Sequence, residues 1–244
     1  MTRRALIISN PGELGAENYC EGVNKDVINY KKYLMSSVGG GWYEDEIVCL
    51  EKPDHILLNK HIKLMEDTEY TLIVFCGHGC TVGDETIIEL NKDCDYRASS
   101  LRTGAIKRTI ILDCCRVINN SLSESAIYEY SSKLEKSDSY IPLARIYFDA
   151  AIQKCNNGIV TTFACDLNES AGDDSRLGGY YSYSLIKSAQ SWERQLNNSS
   201  ASYASIVTIH EKAATMTRMK SGNEQNPQID KPRNSPYFPF AIHV

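Results

Sequence analysis

Short runs of apolar residues alternate with longer stretches of helical period along this chain, and that alternation leaves few architectures open. Five runs have strand length: Ala5 to Ser9, Ile47 to Leu50, Thr71 to Cys76, Thr109 to Leu112 and Gly158 to Ala164. Between the first two, Val23, Val27, Tyr30 and Leu34 fall on one helical face, and Gly39 to Gly41 supply a stop. Between the second and third, Pro53 opens DHILLNKHIKLMEDT, a helix with a proline near its first turn and a polar outer face. Further helices are expected over Ile141 to Cys155, Tyr180 to Arg194 and Tyr203 to Lys220. This alternation predicts an α/β fold, a mostly parallel six-stranded sheet with helices on both faces and right-handed crossovers. The sixth strand is the closing run PYFPFAIHV, read as a C-terminal edge strand because Pro236 and Pro239 cannot donate to an inner ladder.

A chain of 244 residues, 42% of them hydrophobic, can bury a sizeable core. Its net charge is −5 and its 26 Lys and Arg are scattered without a basic run, which argues against nucleic acid and against an anionic membrane as direct partners. The N-terminal basic pair is followed by only four consecutive apolar residues, Ala5 to Ile8, too few for a secretory signal and far short of the about 20 that span a bilayer. Nine dispersed cysteines, an odd number in a chain that can build its own core, point to a reducing, cytoplasmic setting. The stretch 119–140 is dominated by Ser, Asn, Glu and Lys and reads as a linker within a single 1–244 domain, between a first part (1–118) and a second (141–244).

Two strand ends carry reactive side chains. VFCGHG leaves His78 just past the third strand, and IILDCCR leaves Cys115 just past the fourth. In an open α/β sheet, ligands sit outside the carboxyl ends of the strands, so the two residues can meet there. A thiol near its ordinary pKa is mostly protonated at neutral pH and needs an adjacent imidazole to become a nucleophile, which His78 would supply. Gly77 and Gly79 allow a tight turn, and the amides of Gly79 and Cys115 could form an oxyanion hole. Strand alternation sends Cys114 to the opposite face, into the core.

The GHG at 77–79, the DCCR at 113–116, GVNKDV at 22–27 and ACDLNESAGDD followed by GGYYSYSLI together resemble the caspase-like cysteine peptidases, above all their bacterial, metacaspase and paracaspase branches. The resemblance implies a three-layer sandwich, with Cys115 as nucleophile, His78 as general acid/base, residues 1–118 like a large subunit and 141–244 like a small one. It also implies cleavage after Arg, then Lys. In the branches with that preference, an acid at the start of the first helix and the Asp two before the nucleophile line the primary pocket, and here these are Asp26 and Asp113. Two carboxylates suit a guanidinium through charge-assisted hydrogen bonds. Glu169 matches a third acidic contact found in paracaspase-like relatives. Arg116-Val117-Ile118 replaces the His-Ser-Gly usual after the metacaspase nucleophile.

The acids Asp84, Glu85, Asp93 and Asp95 do not form a hard-cation loop, so no cofactor and no required calcium are expected. The partners implied are a protein or peptide substrate and a regulatory or sensor protein, as in stand-alone prokaryotic relatives that act in cell death or antiviral defence. Self-cleavage after Lys133, Lys136 or Arg145 would be an activation step by family habit. Two other readings compete: a zinc site from Cys76, His78 and Cys80 with Cys114 and Cys115, and a catalytically silent scaffold.

Overall fold

In the computed structural model, which describes residues 1–117, 139–196 and 200–244, six strands form one central sheet. In chain order the first elements are β1 (Arg3–Asn10), α1 (Glu21–Met35), β2 (Ile47–Glu51), α2 (His55–Leu64) and β3 (Tyr70–Gly77). A three-stranded antiparallel meander follows, made of β4 (Gly79–Val82), β5 (Glu85–Asn91) and β6 (Cys94–Arg97). Then come β7 (Lys107–Asp113), α3 (Ile141–Lys154), β8 (Gly158–Phe163), the short β9 (Asp173–Asp174) and β10 (Gly178–Gly179), and α4 (Tyr180–Arg194). The chain continues through β11 (Ser202–Ser205), α5 (Ile206–Lys220), β12 (Gln228–Asp230) and β13 (Pro239–His243). The central order is β12-β8-β7-β3-β1-β2, all parallel except the antiparallel edge strand β12.

Alternation along the strands divides the core into two layers. Ala5, Ile7, Leu72, Val74 and Ile111 face one side, beneath α1, α3, α4, α5 and β13. Leu6, Ile8, Ile73, Phe75, Ile110 and Leu112 face the other, beneath α2 and the meander. Helix α2 starts where Asp54 accepts the Leu57 amide at 2.7 Å, and it buries Leu58 and Ile62, one turn apart. Burying side chains of this size contributes about 1.5–3 kcal/mol each.

Two expectations change. The helix expected from Tyr203 begins at Ile206, because Ser205 accepts the Thr208 amide as a cap and Ser202–Ser205 pair with β13. Consequently the run around Pro239 is not part of the central sheet; β12 supplies its C-terminal edge strand instead. Tyr33 donates to the Phe240 carbonyl at 2.6 Å and Ile242 N to the Val38 carbonyl at 2.8 Å, so β13 is held against the end of α1. Arg145, just beyond the expected linker, falls in the expected helix. It lies in α3, its guanidinium bidentate on Glu46 at 2.6 and 2.7 Å and 3.9 Å from the Tyr43 ring centroid. Beside it Arg3, fully buried, meets Asp149 at 3.2 Å and Glu46 at 3.5 Å and lies over Trp42 and Phe148. Lys133, Lys136 and nearly all of the expected 119–140 linker lie outside the described residues.

Candidate active site

Strands β3 and β7 are parallel neighbours with Cys76 opposite Asp113, so His78 and Cys115 leave the sheet at the same level. Gly77, at φ +151°, passes so close to the Asn10 backbone that a side chain there would collide with it. The His78 carbonyl accepts the Glu89 amide at 3.0 Å. Ladder alternation then puts Gly79, opposite Ile88, at a position where its amide points away from β5. The imidazole packs against the loop after β1: a Cβ on Gly12 would lie 2.9 Å from Nε2, which is out of water and has no hydrogen-bond partner among the described residues.

Cys115 Sγ is half-buried and accepts from Ala171 N at 3.3 Å, with the Ala171 carbonyl at 3.7 Å. Burial, with the nearby Asp113 and Asp173 charges, raises its pKa against the hydrogen bonds from Ala171 and Ser170, so the resting form is the thiol. Arg116 is buried. Its guanidinium reaches Thr86 Oγ1 at 3.1 Å and the Cys165 carbonyl at 3.2 Å over the Phe163 ring, while its amide donates to Glu169 O at 2.9 Å. These contacts fix the peptide that follows the thiol. Cys114, the first residue past β7, is buried in the second layer behind Gly79, where alternation carried one residue beyond the strand would put it.

Next to the thiol, carboxylates converge from three elements. Asp26 on α1 is 1% exposed and Asp113 at the end of β7 is 5% exposed. Asp26 Oδ2 accepts the Gly179 amide at 2.9 Å, and Asp113 Oδ2 accepts the Ser182 amide at 2.8 Å in the first turn of α4. Asp26 Oδ1 is buried without a partner among the described residues. Burial first, then the Asp113 charge, lifts Asp26 well above the usual carboxylate range. Burial pushes Asp113 up to about 6 despite its bonds to Ser182. Asp173, in β9, accepts the Gly22 amide at 3.1 Å; burial raises it, and His78 is close enough to oppose that rise.

Glu169 stands apart from this group. Its oxygens take the amide and side chain of Asn226, both at 2.7 Å, and the Asp166 amide at 3.0 Å. Asp173 is the acid that sequence reasoning passed over; the only signal was an Asp doublet before the Gly-Gly that opens α4. For the zinc reading, Cys76 and Cys114 point into opposite layers, and among the described residues no three His, Cys, Asp or Glu are grouped to hold a metal ion. No helix among the described residues is long and apolar enough to cross a membrane.

Comparison with known proteins agrees with this architecture. No curated protein matches the sequence. Among solved structures, the crystal structure of caspase-1 from Spodoptera frugiperda superimposes with a TM-score of 0.58 at 13% identity, over 94% of this chain and 86% of that one, a likeness of fold. Residues 2–238 match the profile of the family described as the caspase domain. With that match running over nearly the whole sequence, the chain belongs to the caspase-domain family, a family of cysteine peptidases that act on protein substrates.

Proposed function

We propose that the protein is a cysteine endopeptidase that cuts after Arg, and less readily after Lys, with Cys115 as nucleophile and His78 as general acid/base. The observation that carries this reading is the convergence of Asp26, Asp113 and Asp173 beside two strand ends bearing a thiol and an imidazole. Cys115 gives its proton to His78 as the sulfur attacks the carbonyl of the basic residue itself. The amides of Gly79 and Cys115 receive the oxyanion, and His78 protonates the departing amine. Water then releases the acyl group from sulfur. No hydrogen bond joins His78 Nε2 to Cys115 at rest, and such contacts often form only when substrate is bound. A basic side chain would bind Asp26 Oδ1 and ionise the acid pair, and because both acids are buried the pocket must open to admit it. A pocket covered at rest suits a regulated effector opened by a partner, and a prokaryotic defence or cell-death system is the setting we propose for it.

Cleavage of a peptide library by the full chain, with and without an added activator, tests the reading. The expected result is cutting after Arg, reduced by Asp26→Ala and abolished by Cys115→Ala. The burial of Asp26 and Asp113 also favours a second reading, a silent scaffold whose pocket never opens. An Arg-directed electrophile that fails to label Cys115 under every activating condition would establish that scaffold.

A further inference from the structure

Cys115 leans twice on the loop that leads from β8 to β9. Arg116 N donates to the Glu169 carbonyl and Asn168 N to the Arg116 carbonyl, both at 2.9 Å, so the residue after the thiol is paired with the loop. The Ala171 amide reaches the sulfur itself at 3.3 Å. Two consecutive residues just before β12 anchor this loop in turn. Gln225, 1% exposed, accepts the Gly172 amide on its Oε1 at 3.0 Å and donates its Nε2 to the Ala164 carbonyl at 2.9 Å. Asn226 donates both its backbone amide and its Nδ2 to the Glu169 carboxylate, each at 2.7 Å. Ala171 therefore hangs between two anchored residues, Glu169 and Gly172. The anchor is itself stiff, because Pro227 fixes the backbone after Asn226 and Gln228 already pairs with Phe163 of β8.

We propose that Glu169 and Asn226, backed by Gln225, form a clip that positions the Cys115 sulfur, so that Glu169 is a positioning residue for the nucleophile and makes no contact with the substrate's basic side chain. This rests on the peptidase reading for what the sulfur does. The pairing is chemically specific. An ionised carboxylate only accepts, so it takes the Asn226 amide and, with the same Oε2 that holds the backbone, the Asp166 amide at 3.0 Å. Against burial, these bonds hold Glu169 below the usual carboxylate range and keep it ionised. At the other end, burial raises the Cys115 thiol and the Ala171 amide opposes that rise, because a donor on sulfur favours the thiolate. A loosened clip would let Ala171 drift and would misplace both the sulfur and the peptide of Arg116.

The test uses the full chain and reads Cys115 in two ways: steady-state cleavage of an Arg reporter, and the pH dependence of its alkylation by iodoacetamide, mapped by mass spectrometry. Asn226→Asp sets a second carboxylate against Glu169. It should lower kcat at least about 10-fold with KM kept within about 2-fold, and raise the alkylation midpoint by about one pH unit. Adding Glu169→Gln to that variant exchanges donor and acceptor across the pair, since the new amide can donate to the new acid while its oxygen keeps both backbone amides; both readings should recover. Asn226→Ala, which keeps the backbone bond to Glu169, should shift both readings the same way by less, and it carries the test if Asn226→Asp does not fold. Wild-type kcat and midpoint in the folded single variants overturn the clip, as does a double variant no better than Asn226→Asp. A rise in KM with kcat kept would make Glu169 a substrate contact and overturns it too. A wild type that never cuts defeats the peptidase reading, while the alkylation midpoints and their recovery still decide the clip.

Discussion

The carboxylates of Asp26 and Asp113 converge on one glycine: a Cβ on Gly179 would lie 2.5 Å from Asp113 Oδ2 and 3.1 Å from Asp26 Oδ2. Two buried acids so close cannot both ionise without a cation between them. In the function proposed here, a basic substrate residue is such a cation.

The pair makes stability and recognition depend on pH in opposite senses. Both folded pKa values lie above the unfolded ones, so the stability each contributes is full below the unfolded value and is lost as pH rises through the folded one, about 6 for Asp113. Thermal unfolding of wild type should therefore weaken by about 1 kcal/mol or more between about pH 5 and about pH 8 relative to Asp113→Asn, which cannot ionise. Over the same interval, kcat/KM for an Arg peptide should rise in wild type. Parallel melting curves for the two proteins would show that the pair carries no such charge.

Gly179 tests the close approach itself. Gly179→Ala should destabilise the fold by about 1–3 kcal/mol, because its methyl would press on both carboxylates. Denaturant titration checks this, and an unchanged midpoint would contradict the geometry.

Asp173 and Glu169 should separate in a specificity assay. Asp173→Asn is expected to lower kcat/KM for Arg peptides about 10-fold or more, the size of one charge-assisted hydrogen bond. Glu169→Gln should leave Arg preference unchanged, because the carboxylate is spent on Asn226 and Asp166. Steady-state kinetics on Arg and Lys reporters decide between the two acids.

The buried charge cluster under α3 concerns stability, not cutting. Arg3→Ala should cost about 3–5 kcal/mol, since it leaves Asp149 without its buried cation and Glu46 with Arg145 alone. Intact-mass analysis of active protein should find no cleavage after Arg145, whose helix and ion pair withhold it from an extended binding mode.

Local pattern carried much of this protein. Near-continuous apolar runs marked β1, β2, β3, β7 and β8, and the positions of His78 and Cys115 past two of those runs put them at one end of a parallel sheet. Cys114 in the core follows from strand alternation alone. The meander escaped notice because its strands mix buried Ile88 and Leu90 with Asp and Glu at the turns, a weak period in a short window. Glu169 and Asp173 lie in one polar loop, and nothing in their spacing says which of them turns toward the thiol. That choice needed α4 docked beside α1, with Asn226 on hand to take Glu169. Sequence periodicity determines which residues form an element and which face they share; side chains drawn together from α1, β7, β9 and the start of α4 meet only through packing between elements, which no local pattern encodes.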